Sequence, residues 1–218
     1  MKLLALNTAF SNSDIAVSLD GKCDYISHSS SAKQSENALV CIDELLKRNN
    51  CKIQDIDTMA VVIGPGSFTG IRIGMGLVKG MAVAKESLKL IGICSLDLLA
   101  YEFCKNENFD KEFTCVLDAL SGNLFVCTYK GTKRTSEPKM LTGDDYENLS
   151  GIVVGLKSEN LDFCTNYAEF SAQSLLKFAQ DKAKLGEYTS EQNLLPLYLR
   201  KSQAEMGLSD ANKKNWQR

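Results

Sequence analysis

The stretch VVIGPGSFTGIRIGMGLVKGMAVA, Val61 to Ala84, runs from an apolar strand through six glycines into a helical pattern. Glycines that follow a strand often bring backbone amides to a phosphate. The known cradles do not fit here. A Walker loop needs G-x-x-x-x-G-K-[ST], but Thr69 and Ile71 stand where its second glycine would be. The dinucleotide fingerprint G-x-G-x-x-G fails because Thr69 takes its third glycine position, and Pro65 has no N–H to offer an anion. A G-x-S-x-G elbow is also absent, since Pro65 and Gly66 precede Ser67.

The glycines beyond the loop then need another reason. Each one inside a helix costs roughly 0.8–1 kcal/mol relative to alanine. At 100° per residue, Gly66, Gly70, Gly74, Gly76, Gly80 and Ala84 fall on one broad side with Ile73, Leu77 and Met81. Ile71, Met75, Val78 and Ala82 make a second apolar stripe, and Arg72 and Lys79 share a narrow polar strip. Two apolar faces imply two packing partners. One is the chain's own sheet. The other is a neighbouring surface that approaches closely because glycine has no side chain, with an exposed apolar patch left over as an interface. On periodicity alone, either stripe could face the sheet.

Outward from this helix, the pattern repeats a few motifs. KLLALNTA is a buried strand, and DIAVSLDGKCDYISHS is a hairpin on Asp20-Gly21, a type I′ dipeptide. Residues 32–48 are helical, with Ala38, Ile42 and Leu45 at i, i+4, i+7. DTMAVVIG is apolar throughout, like an interior parallel strand. LKLIGI is a strand, and SLDLLAYEFCKNE is a helix with Ser95 as its cap. The first part therefore reads βββαβαβα, an α/β order with one mixed sheet and helices on its faces. The rest reads as a fainter copy. FTCVLDAL and NLFVCTYKG pair around Ser121-Gly122, KRTSEPK is a polar loop, GDDYENLS a short helix and GIVVGL a strand. NYAEFSAQSLLKFAQDKAK is one long helix, and LLPLYLRKS closes against the core. We place one lobe at residues 1–108 and a smaller, shortened lobe at 109–218.

Composition narrows the function. A net charge of −2 advertises no basic surface, and the basic residues of the tail, Arg200-Lys201 and Lys213-Lys214, read as a solvated end. The eight cysteines form no CxxC pair and His28 is the single histidine, so no zinc set is expected and the thiols read as reduced and buried. No apolar run reaches membrane-spanning length, and a cytoplasmic protein is expected.

GPGSFTGIRIGMGLVKGMA resembles the signature helix of the TsaB family, also called YeaZ. LLALNTA, SENALVCIDELL, IGICSLDLLA, VLDALSGNLFV and PLYLR follow in the order that family shows. The resemblance implies a shortened, two-lobed member of the actin-like, ribonuclease H-like ATPase fold. It implies a non-catalytic dimerising subunit that supports a related catalytic subunit, TsaD. With an ATPase, TsaE, these proteins make N6-threonylcarbamoyladenosine beside the anticodon of tRNA. The family's partner face corresponds to helices 32–48 and 70–86, and the family also pairs with itself through that face. We therefore expect Leu39, Ile42, Leu46, Gly70, Arg72, Gly74, Met75 and Val78 at or near the partner surface, and a Gly74→Leu chain that folds but does not associate. The chain departs from the family pattern at Asn7, where an Asp is usual, near Gln34 and Ser35, where a His is usual, and at Leu120 and Asn123, where an Arg and a Glu are usual; Asp118 is kept.

Catalysis by the chain alone finds little support. An actin-like ATPase needs a D-x-G-[ST] turn whose Asp holds Mg²⁺ through water, but the turn here is Asn7-Thr8-Ala9-Phe10. His28 reads as a surface residue, Asp118 as a turn residue more than an acid–base group, and the thiols lack a paired base. No residue is assigned to catalysis, cofactor or metal. The alternative is a small phosphotransferase working alone through Asp118 and Mg²⁺; a peptidase would want more than one histidine.

Overall fold

The computed structural model describes residues 1–29, 34–105, 109–120, 122–157 and 161–200. Lys201, Lys213, Lys214, Ser121 and the expected lobe junction beside residues 106–108 lie outside them, as do the side chains of Gln34 and Ser35.

The first sheet follows the expected order. Strands β1 (Lys2–Asn7), β2 (Asn12–Leu19) and β3 (Lys22–Ser29) form a meander. Its second turn is made by Asp20 and Gly21, whose φ values of 51° and 97° need the small residues found there. Helix α1 (Gln34–Arg48) leads to β4 (Thr58–Gly64), α2 (Phe68–Ala84), β5 (Lys89–Cys94) and α3 (Ser95–Cys104). The spatial order is β3-β2-β1-β4-β5, with β2 antiparallel to both neighbours and β1, β4 and β5 parallel. Leu3 to Leu6 of β1 and Met59 to Val62 of β4 are buried on both sides, which is why these strands read as unbroken apolar runs.

The second sheet repeats that plan with less helix. Strands β6 (Glu112–Asp118), β7 (Asn123–Lys130), β8 (Lys133–Arg134), β9 (Lys139–Thr142), β10 (Val153–Leu156) and β11 (Asn166–Ala168) precede α4 (Ala172–Lys184). The order is β8-β7-β6-β10-β11, with β9 also on β7. Again an antiparallel hairpin, β6/β7, continues into parallel strands, β6/β10/β11. A short 3-10 helix, Gly143–Asn148, stands before β10, and among the described residues no helix stands between β10 and β11. This is the actin-like, ribonuclease H-like α/β fold, with mixed sheets flanked by helices and its second half shortened.

Three local expectations change. The polar loop KRTSEPK contributes a β8 edge pair, because Arg134 forks onto both oxygens of Asp97 (2.7 and 2.8 Å) and Tyr129 adds its hydroxyl at 2.8 Å. The stretch expected as one long helix begins with β11, and α4 starts only where Ser171 caps it by accepting from the Ser174 amide. Ser95 is the first residue of α3 and not its cap; Cys94 holds that position.

The helices do not stay with their own sheets. α3 lies between the two, against β4 and β5 of the first and β6, β7, β10 and β11 of the second, whereas α4 crosses back onto β1 and β2. Leu175, Leu176 and Ala179 of α4 sit in the first core with β1, β2 and β4, while Leu96, Leu99 and Ala100 of α3 sit in the second with Phe113 and Tyr129.

Candidate functional site: the two faces of helix α2

Helix α2 meets the β1–β2 turn with its inner face. The Ser67 amide donates to the Ala9 carbonyl at 2.8 Å, and the Thr8 hydroxyl donates to the Gly70 carbonyl at 2.6 Å. The glycines make this approach possible. A Cβ on Gly66 would stand 2.7 Å from the Ala9 oxygen, one on Gly74 2.6 Å from Thr8 Oγ1, and one on Gly70 would overlap the Thr8 carbonyl oxygen. Asn7 is wholly buried. Its Oδ1 accepts from the Ala9 amide at 3.1 Å and its Nδ2 donates to Asp14 at 3.5 Å. Phe10 packs on Phe170 with ring centres 4.7 Å apart. The turn where an actin-like ATPase holds phosphate is thus bonded to itself and pressed against α2, so the inner glycines serve close packing.

The other chemical candidates are also engaged. Asp14 is buried, and desolvation pushes its pKa up, partly offset by hydrogen bonds from Ser27 (2.7 Å) and Asn7. Asp118 accepts from the Leu120 amide at 2.7 Å, closing the β6–β7 turn in which Leu120 adopts φ 63°. His28 is exposed on β3. Burial pushes the thiol of Cys94 up to about 12 and those of Cys104 and Cys164 up to about 11, so they stay protonated near neutral pH. Among the described residues no group of His, Cys, Asp or Glu could hold a metal ion, and no helix is long and apolar enough to cross a membrane.

The outer face is different. A Cβ on Gly76 or Gly80 would meet nothing within 4 Å. Ile73, Leu77 and Met81 are half-buried, and Val83 is 74% exposed. On α1, Leu39 is 50% and Val40 63% exposed. Of the residues expected at a partner surface, Leu39 and Arg72 are exposed. Ile42, Leu46, Gly70, Gly74, Met75 and Val78 are enclosed by the chain's own core. The exposed stripe is therefore the one carrying Ile73, Gly76, Leu77, Gly80 and Met81. Nor can Gly74→Leu leave the monomer intact, because its side chain would drive into Thr8 and Val61.

At the start of this face Arg72 is held in place. Its guanidinium carbon lies 3.8 Å above the Phe68 ring, and its Nε donates to the Tyr198 hydroxyl at 3.0 Å. Phe68 and Tyr198 stack with centres 4.7 Å apart. Tyr198 belongs to a strap that ties the two sheets together. The Leu197 amide donates to the Ile63 carbonyl of β4 at 2.8 Å, and Arg200 donates to the Ala119 carbonyl after β6 at 2.8 Å. At the other end of α2, an open depression of about 560 Å³ is lined by Ala82, Val83, Leu88, Lys89 and Tyr188, away from the β1–β2 turn.

Over residues 28–171 the chain matches the protein family described as TsaD: tRNA N6-adenosine threonylcarbamoyltransferase. It is 28% identical over 130 residues to the tRNA threonylcarbamoyladenosine biosynthesis protein TsaB of Escherichia coli, covering 60% of this chain and 55% of that one. The protein of the same name from Haemophilus influenzae is 32% identical over 111 residues, 50% of this chain and 47% of that one. The match thus spans about half the length of these curated relatives. Among solved structures, YeaZ from Pseudomonas aeruginosa aligns over 91% of this chain and 99% of its own at a TM-score of 0.77 and 20% identity, which establishes a shared fold.

Proposed function

Because the chain belongs to the tRNA N6-adenosine threonylcarbamoyltransferase family, among its TsaB (YeaZ) proteins, we propose that it is a non-catalytic subunit in the biosynthesis of threonylcarbamoyladenosine in tRNA. In this reading the outer face of α2, with the exposed end of α1, docks a TsaD-like catalytic subunit in the cytoplasm. A TsaE-like ATPase joins the same assembly, and tRNA meets the chain only through that assembly. Alone, the chain pairs with itself through the same face.

The carrying observation is the pair Gly76 and Gly80. Each costs helix stability of about 0.8–1 kcal/mol, and among the described residues nothing lies within 4 Å of where a Cβ on either would stand. A second protein lying on that surface would account for them, and for the neighbouring exposed Val83, Val40 and Leu39. The non-catalytic part is supported by Asn7, whose carboxamide is bonded within its own turn. The rival reading, a phosphotransferase acting alone, needs Asp118 with Mg²⁺, and that carboxylate accepts a local hydrogen bond from the Leu120 amide.

The test is to mix the full chain with its TsaD-like partner and measure sedimentation. Wild type should form a defined complex, and Gly76→Leu should remain folded and fail to do so. Co-sedimentation of Gly76→Leu at wild-type affinity would reject the docking face. Calorimetric titration with ATP separates the rival, which demands magnesium-dependent binding by the chain alone.

A further inference from the structure

Arg72, Gly76 and Gly80 follow one another at i, i+4 and i+8, so the guanidinium stands at one end of an otherwise apolar, side-chain-poor stripe. An exposed arginine ordinarily loses rotamer entropy when it pairs, which is why surface ion pairs contribute little. Here that ordering is already in place before any partner arrives. The Phe68 ring holds one face of the guanidinium and Tyr198 holds Nε. Among the described residues neither Nη1 nor Nη2 donates a hydrogen bond, and no acid lies in the first turn of α2 to compete for them. A flat, oriented fork with its outer edge open matches the geometry of a carboxylate.

The surroundings decide between possible anions. RNA backbones are gripped by several cations together, and Arg72 has a single further cation, Lys79, on its helix, in a chain of net charge −2. A carboxylate carried by a docking protein, and sealed from water by the apolar stripe, fits better. Among the described side chains of α1, the acids a second copy would offer are Asp43, already paired with Lys47 at 2.7 Å, and Glu44, beside Arg48 at 3.8 Å. We infer that Arg72 is the partner-selecting contact of this face: it forks onto a carboxylate side chain of the docked catalytic subunit, with Tyr198 of the strap as its positioning residue. This rests on the docking reading given above, and it adds the chemistry of the partner and a link from the interface to the strap between the sheets.

The test is the affinity of the full chain for the TsaD-like subunit at several salt concentrations. Arg72→Ala should weaken it roughly 30- to 100-fold and flatten its salt dependence. Arg72→Lys keeps the charge but not the fork and should still lose about tenfold. Tyr198→Phe keeps the stack on Phe68, loses the bond to Nε, and should cost about threefold with the salt dependence retained. All three should melt with the wild type, since Arg72 and Tyr198 are both exposed. Wild-type affinity of Arg72→Ala beside a failing Gly76→Leu would overturn the arginine contact and leave the docking face standing. Wild-type affinity of both would remove the face itself. An Arg72→Ala chain that assembles normally but lowers tRNA binding by the complex would mean that Arg72 reads phosphate, and so would overturn the inference. Loss of self-association alone would overturn it as well.

Discussion

On the inner side of α2, Gly70 meets the Thr8 carbonyl and Gly74 the Thr8 hydroxyl; on the outer side, Gly76 and Gly80 meet open space. All four weaken the helix by a similar amount. The inner pair is compensated within the chain, by a turn bonded through Ser67 to Ala9 and through Thr8 to Gly70. Among the described residues the outer pair has no such compensation. One residue type on one helix thus has two separate explanations, and only the second points outside the molecule.

Substitutions can break this contrast. The largest effect belongs to Gly70→Ala. Its methyl group cannot coexist with the Thr8 carbonyl, and denaturant unfolding should show a loss of about 3 kcal/mol or more. Next comes a matched pair. Gly74→Leu should destabilise the monomer by about 2–3 kcal/mol, whereas Gly80→Leu should melt at or slightly above wild type and lose partner binding in sedimentation. Smaller and opposite in sign, a Gly76→Ala, Gly80→Ala chain should gain about 1–2 kcal/mol, because alanine restores helix propensity where nothing obstructs it. A destabilised double alanine chain would show that the outer face is not open.

The smallest effect sharpens the inner side. Burial raises the folded-state pKa of Asp14 above its unfolded value near 4. The folded chain therefore holds this proton more tightly, and stability falls as pH rises from the unfolded value through the raised one. Asp14→Asn has no proton to lose. Its melting temperature should match wild type at low pH, exceed it increasingly as pH rises from the unfolded value through the raised one, and keep that lead above it. A gap that stays constant with pH would contradict the assignment.

Much of the first sheet is legible in the sequence because each turn carries its own chemistry. Asp20-Gly21 announces a reversed turn, and the apolar runs of β1 and β4 announce strands covered on both faces. Which stripe of α2 faces inward is not legible. Ile71, Met75 and Val78 are no more apolar than Ile73, Leu77 and Met81. What breaks the tie is Thr8, sixty-two residues away from Gly70 along the chain, and no local period reports it. The same holds for β8, whose place depends on Asp97 in a distant helix, and for β11, whose Tyr167 blends into the helical pattern until Ser171 starts α4. A signal for the outer surface is present, in Gly76 and Gly80 at i+4 and i+8 from Arg72, but it gains meaning only once the inner glycines are set apart.

The return of α4 to the first sheet affects how the chain can be born. When β5 leaves the ribosome, β1 and β2 are complete except for the helix that covers their second face, and that helix lies roughly ninety residues further on. At ordinary translation speeds this leaves Leu3 to Leu6 half-clothed for on the order of 5 to 20 seconds. A nascent chain in that condition is a natural client for chaperones, and the early half cannot mature ahead of the late one.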